Sequence, residues 1–206
     1  MAPELATIKI HGVTRQAFLM RSALAAGAAY GALSATPYIT KALAQDEVDD
    51  VAILNFALTL EYLEAEYYML GVKQVNGLSG DEKKLATELR DNEIEHVDAL
   101  KATVEKLEGT PVDKPEFDFG NAFSSRDSFL KTSNTLEDTG VSASNGAGPL
   151  IESGEVLSAA GSIVQVEARH AALVRLLRNE PPAPQAFDTA SDMDAVLKAV
   201  QPFIVS

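Results

Sequence analysis

The chain has no cysteine and no tryptophan, and it is poor in basic residues: 17 Lys and Arg stand against 30 Asp and Glu, for a formal net charge of −13. Without thiols there is no disulfide, no thiolate zinc site, no cysteine nucleophile and no cysteine-bound iron–sulfur cluster. Any metal must be held by carboxylate and imidazole. So acidic a surface repels nucleic acid and anionic membranes while attracting cations, and the lack of tryptophan removes the largest platform for stacking bases. Hydrophobic residues make up 46% of the 206, ordinary for a globular protein with one domain and a short appendage.

Residues 1–44 read as an export address. A front carrying Lys9, Arg15 and Arg21 precedes an Ala- and Gly-rich run from about Ala23 to Ala35, and Ala42-Leu43-Ala44 forms a small-residue cleavage site before Gln45. The run is too short and too mild for a membrane span. Thr14-Arg15-Gln16-Ala17-Phe18-Leu19 resembles a twin-arginine export motif, with Gln16 where the second arginine would stand. The expectation is a periplasmic or extracellular protein, cleaved after Ala44, whose domain is 45–206.

From Asp49 onward the apolar residues recur at helical spacing. The first predicted helix runs from about Asp50 to Val75, with Leu54, Leu58, Ala65 and Tyr68 on one stripe, and Asn76-Gly77 stops it. The second starts at Ser79, which forms a capping box with Glu82, and carries Leu85, Leu89, Leu100 and Val104 before Gly109 and Pro111. A polar stretch from Gly109 to Ser125 follows, long enough at roughly 3.3 Å per residue to cross a whole bundle. The third helix is read from about Arg126 to Val141 or Asn145, interrupted by Gly146, Gly148 and Pro149. The fourth runs from about Ser153 to Arg178, with Val156, Ala160, Ile163 and Val174 on its stripe, and ends at Pro181, Pro182 and Pro184. A short amphipathic piece, Ser191 to Val200, caps the whole. Two short-loop helical pairs joined by a long crossover between helices 2 and 3 make an all-α four-helix bundle.

The chemistry lies where the stripes are broken. Glu93 and His96 interrupt the second, and Glu167 and His170 the fourth; each pair is Glu-x-x-His, so both side chains leave one helix face. Glu61 stands in the first stripe between Leu58 and Ala65, and Glu137 at helical spacing from Leu130 and Val141 in the third. Four carboxylates in an apolar seam need positive charge to compensate them. Two divalent cations would balance them, each gaining one imidazole, and mixed Glu and His ligation suits iron or manganese. Glu61 and Glu93 are 32 residues apart, Glu137 and Glu167 are 30 apart, and two of the three histidines fall in the motif.

This arrangement resembles the ferritin-like di-metal carboxylate superfamily, in which two helices give a Glu and two a Glu-x-x-His. Leu60-Glu61-Tyr62-Leu63-Glu64-Ala65, Leu136-Glu137-Asp138-Thr139-Gly140 and Val166-Glu167-Ala168-Arg169-His170 are similar to bacterial and plant ferritin-like proteins related to desiccation-associated proteins. The resemblance implies Glu61 and Glu137 as terminal ligands, Glu93 and Glu167 as bridges, and His96 and His170 as capping imidazoles, around two iron or manganese ions with iron ahead. Glu64 stands where many first helices of the superfamily have a small residue; it is either an alternative or extra ligand or a hydrated surface charge. Stripe position favours Glu61 over it. Asp138 and Arg169 are candidates to orient ligands or to form surface salt bridges, and Tyr62, Tyr67 and Tyr68 are core or boundary aromatics.

Three functions follow as expectations. One is oxidation chemistry with dioxygen or peroxide, of ferroxidase, peroxidase or catalase type. Another is iron handling outside the cytoplasm. The third is a non-catalytic, stress- or desiccation-protective bundle with a structural or vestigial site. The superfamily includes monomers, dimers and cages, so a homo-oligomer is compatible with each.

Overall fold

The computed structural model describes residues 9–10, 13–14 and 49–205. In the first two of these ranges, β1 (Lys9–Ile10) and β2 (Val13–Thr14) pair antiparallel, Lys9 opposite Thr14. The rest of the predicted export segment, with its cleavage point, lies outside the described residues.

Five α-helices follow among the described residues: α1 (Asp50–Gln74), α2 (Gly80–Lys106), α3 (Arg126–Ala147), α4 (Gly154–Leu177) and α5 (Met193–Val200). Each begins where a short polar side chain can satisfy the free N–H groups of a first turn. Asp49 accepts from Ala52 N–H (2.8 Å), Ser125 from Ser128 N–H (3.1 Å), Ser153 from Val156 N–H (3.3 Å) and Asp192 from Ala195 N–H (2.8 Å). The predicted capping box is present: Ser79 Oγ accepts from Glu82 N–H at 3.2 Å, and Glu82 accepts from Ser79 N–H at 2.8 Å.

The helix directions follow from contacts at their ends. Asp50, opening α1, accepts from Glu152 and Ser153 N–H (2.8 and 2.9 Å), so α1 and α4 start at the same end. At the other end Arg126, opening α3, donates to Leu177 O (2.9 Å) at the close of α4. The segment between α2 and α3 runs the length of α1, as its length predicts. Asn55 in α1 pins its beginning, donating to Thr110 O (3.1 Å) and accepting from Val112 N–H (2.9 Å), while Phe119 packs on Tyr67 further along. The C-terminal tail lies against this crossover through Asp118 N–H to Phe203 O and Val205 N–H to Glu116 O, each 2.9 Å.

The third helix differs from its prediction, since α3 continues through Gly146 to Ala147, with a 3-10 turn over Gly148–Leu150. Gly146 does not interrupt it. A Cβ there would lie 1.8 Å from Ser191 O, so the glycine admits the backbone that leads into α5. Ser191 N–H donates to Ser142 O (2.9 Å) at the same contact.

Two apolar clusters fill the bundle. One gathers Leu63, Tyr67, Phe119, Phe129 and Leu136; the other gathers Leu54, Leu58, Leu100, Val104 and Val156. Leu58 and Tyr67 are fully buried, and burial of such side chains stabilises by about 1.5–3 kcal/mol each. Seven buried Glu and His side chains stand among this apolar packing.

Candidate metal centre

The layer draws on all four long helices. Glu61 and Glu64 come from α1, Glu93 and His96 from α2, Glu137 from α3, Glu167 and His170 from α4. All seven are buried, with Glu93 and Glu137 at 0% exposure, His96 the most open at 9%, and Glu64 at 2%. Glu64 is therefore not a hydrated surface charge. The pairs reach one point because three residues advance a helix by nearly one turn, so Glu-x-x-His presents two donors from one face.

The distances sort the donors into two sets. His96 Nδ1 lies 3.3 Å from Glu61 Oε2, 3.1 Å from Glu93 Oε2 and 2.9 Å from Glu167 Oε1. His170 Nδ1 lies 2.8 Å from Glu93 Oε1, 3.5 Å from Glu137 Oε2 and 4.0 Å from Glu167 Oε2. Glu93 and Glu167 thus turn one oxygen toward each imidazole, whereas Glu61 faces His96 and Glu137 faces His170. In each set, Glu61–Glu93–His96–Glu167 and Glu93–Glu137–Glu167–His170, one donor atom per residue falls within 4.8 Å of the others. The imidazole centroids are 6.2 Å apart.

Several of these donors lack conventional partners. Glu93 Oε1, Glu137 Oε2, both oxygens of Glu167 and His170 Nδ1 are buried without a hydrogen bond, although His170 Nδ1 and Glu93 Oε1 are 2.8 Å apart. Lone pairs so placed converge on shared points between the residues, as donors to a common cation do. The residues present fit a metal.

Without a cation, protons hold the cluster together. Burial, with repulsion from Glu167, raises Glu61 well above the usual carboxylate value; burial and the carboxylates of Glu167, Glu137 and Glu93 do the same to Glu64. Glu137 is pushed up to about 8 by burial, against the pull of His170. Glu167 is raised by burial and by Glu93. Glu93 goes the other way, to about 2, because its contacts with His170 and His96 outweigh its burial. The imidazoles overcome burial through their carboxylate neighbours and rise to about 12 for His96 and about 10 for His170. Protonated imidazoles supply the positive charge that a metal would otherwise bring.

The surroundings of the two sets are unequal. Tyr68 OH donates to Glu137 Oε1 and shares a short contact with Ser133 Oγ, fixing one carboxylate oxygen while the other faces His170. Of the three tyrosines weighed from the sequence, Tyr68 is the one that touches the cluster; Tyr67 donates to Phe129 O (2.6 Å) instead. Asn92 Nδ2 lies 3.0 Å from His170 Nε2. Were His170 to bind a metal through Nδ1, its Nε2–H would donate to the amide oxygen of Asn92, which orients the ring. Asn92 and Ser133 carry no sequence signature and were missed for that reason. Asp138 pairs with Arg175 and accepts from Asn134 (2.6 Å). Arg169 lines a groove of about 350 Å³ between α2 and α4, floored by the two imidazoles. On the opposite, α1–α3 side, a pocket of about 30 Å³ reaches Glu61, Glu64 and Gly140.

Comparison with curated proteins gives no match. Comparison with family profiles matches residues 49–180 to the one described as a ferritin-like domain, a span that covers all four long helices and every member of the buried cluster. By that match, and by a helical bundle with a buried Glu and His layer, the chain belongs to the ferritin-like domain family.

Proposed function

We propose that this chain binds two iron or manganese ions, iron foremost, in the buried layer, and that the loaded centre carries out oxidation or peroxide chemistry. The observation that carries the reading is the pairing of oxygens: Glu93 and Glu167 each turn one oxygen toward His96 and the other toward His170. A carboxylate so placed could serve a cation in each set, and a second cation would account for the duplicated set. In this reading Glu61 and His96 complete one position, and Glu137 and His170 the other.

When bound, two redox-active ions supply the electron-transfer capacity that dioxygen or peroxide reduction needs. The chain's own residues do the rest. Tyr68 holds Glu137 by one oxygen and leaves the other for the metal, and Asn92 fixes the His170 ring. Every member of the layer is buried, which strengthens each charge interaction within it. The α1–α3 pocket has room for a molecule the size of water, dioxygen or peroxide. We place this activity outside the cytoplasm on the strength of residues 1–44; among the described residues no helix is long and apolar enough to cross a membrane.

The test is consumption of dioxygen or hydrogen peroxide by protein loaded with Fe(II) or Mn(II), compared with Glu93→Gln and Glu167→Gln. Consumption by the wild type, abolished in both variants, is the expected outcome. A loaded wild type that consumes neither oxidant refutes the redox reading and leaves metal sequestration.

A further inference from the structure

Fourteen of the 24 residues of α4 are apolar, yet of these only Val156, Ala171 and Val174 are buried. Leu173 lines the groove over the two imidazoles together with Val166, Leu85 and Leu89, and Leu176, 53% exposed, stands one turn further along the same face of α4. Apolar surface left open in this way marks a place of association. The face is also short of acid. Between Val156 and Arg178 the one carboxylate is Glu167, which belongs to the buried layer. Arg169, at the groove, makes no hydrogen bond or ion pair with a described residue. On a chain of net charge −13 such a face is one that a second copy can approach without strong repulsion.

The same chain carries a matching piece. Residues 179–190 are exposed throughout, and among them Phe187, at 87%, is followed by Asp188, which has no hydrogen-bond or ion-pair partner among the described residues. Pro181, Pro182 and Pro184 stiffen the approach to the ring, which lowers the entropy lost when it docks. Arg175 donates to Pro182 O (3.3 Å) and Asn145 to Thr189 O (3.4 Å). These ties hold the segment along α3, across α4 from the groove, so the ring is kept from the groove of its own chain. They also bracket the height of the layer, where Glu137 of α3 and His170 of α4 lie 3.5 Å apart. Segment and groove thus flank α4 at one level, and a two-fold axis across its open face sets each segment over the groove of the other copy. We infer that the chain forms a two-fold dimer through α4, in which Phe187 of each copy enters the α2–α4 groove of the other and Asp188 pairs there with Arg169. Glu88 and Glu95 on the α2 wall repel that carboxylate, so Arg169 on the α4 wall fixes how the segment lies. Each ring then closes the groove over His96 and His170, and one copy supplies a wall of the other's buried centre.

The test is sedimentation equilibrium of the full chain over a range of micromolar concentrations. Wild type should sediment at twice the 21.9 kDa of one chain. Phe187→Ser, at a site too exposed to disturb the fold, should weaken association at least about tenfold with an unchanged far-ultraviolet circular dichroism spectrum. Arg169→Asp and Asp188→Arg should each weaken it to a similar degree. Combined in one chain they should restore it, because the pair is then reversed rather than broken, and restoration also shows that the charge variants fold. A monomeric wild type overturns the inference, as does a dimer equally tight in Phe187→Ser. A double variant that associates no better than either single one overturns it as well.

Discussion

Removing metal should give this protein an unusual pH dependence: the metal-free chain should lose stability as pH rises from 5 to 8. The cause is the set of groups facing one another in the buried layer, namely Glu61, Glu64, Glu93, Glu137, Glu167, His96 and His170. Glu137 rises from the usual 4.5 to about 8 in the folded chain, so over that interval the folded state holds a proton that the unfolded state has released. Its stability is fully present below 4.5 and is lost as pH climbs through 8. Each pH unit over which one extra proton is held costs about 1.4 kcal/mol, so Glu137 alone removes on the order of 4 kcal/mol between pH 5 and 8. Glu61, Glu64 and Glu167, also raised, act in the same direction. His96 and His170 add further loss above about 6.5, since their folded values lie near 12 and 10. Glu93, lowered to about 2, acts oppositely: its contribution is present above 4.5 and lost on acidification toward 2, which places the optimum near pH 5. A loss of 4 kcal/mol is a large part of the 5–15 kcal/mol that holds a typical domain folded. The assay is urea unfolding followed by far-ultraviolet circular dichroism in a chelating buffer, repeated with Fe(II) or Mn(II) under anaerobic conditions. Metal displaces the protons, so the loaded chain should gain stability relative to the metal-free one as pH rises. Metal-free stability that is flat or increasing from pH 5 to 8 would refute the electrostatic reasoning.

Other substitutions probe separate parts of the structure. Tyr68→Phe frees one oxygen of Glu137 and should weaken metal at the Glu137–His170 position about 10- to 100-fold, read by Mn(II) titration with electron paramagnetic resonance. Asn92→Ala should weaken the same position about tenfold while leaving the His96 position unchanged, since Asn92 lies on His170 alone of the two imidazoles. Leu58→Ala, at a fully buried site one turn before Glu61, should cost about 2–5 kcal/mol in urea unfolding. Gly146→Ala places a methyl group where Ser191 O now sits, and should detach the segment leading into α5, detected as faster proteolysis after residue 180.

The bundle was legible because its signals are local. Apolar spacing, the Ser79–Glu82 capping box and the prolines after α4 each act within a turn or two of chain. The clustering of six residues, from Glu61 to His170, was legible for a related reason: a charged residue inside an apolar stripe contradicts its surroundings unless something compensates it. The remaining details depend on neighbours far away in sequence. Tyr68 meets Glu137 from 69 residues away, and Asn92 meets His170 from 78, so neither has a spacing to recognise. Gly146 looked like a helix breaker because its use, admitting Ser191, becomes visible only when α5 is docked. Glu64 shares its helix face with Glu61 closely enough that sequence alone left its burial open, and the space over Gly140 decides it.

The most direct test of the central claim is anomalous diffraction from crystals grown with iron or manganese and recorded at the corresponding absorption edge. The expected result is two anomalous peaks per chain, each beside one histidine, with Glu93 and Glu167 touching both. A single peak, or none, in fully loaded crystals would contradict the account.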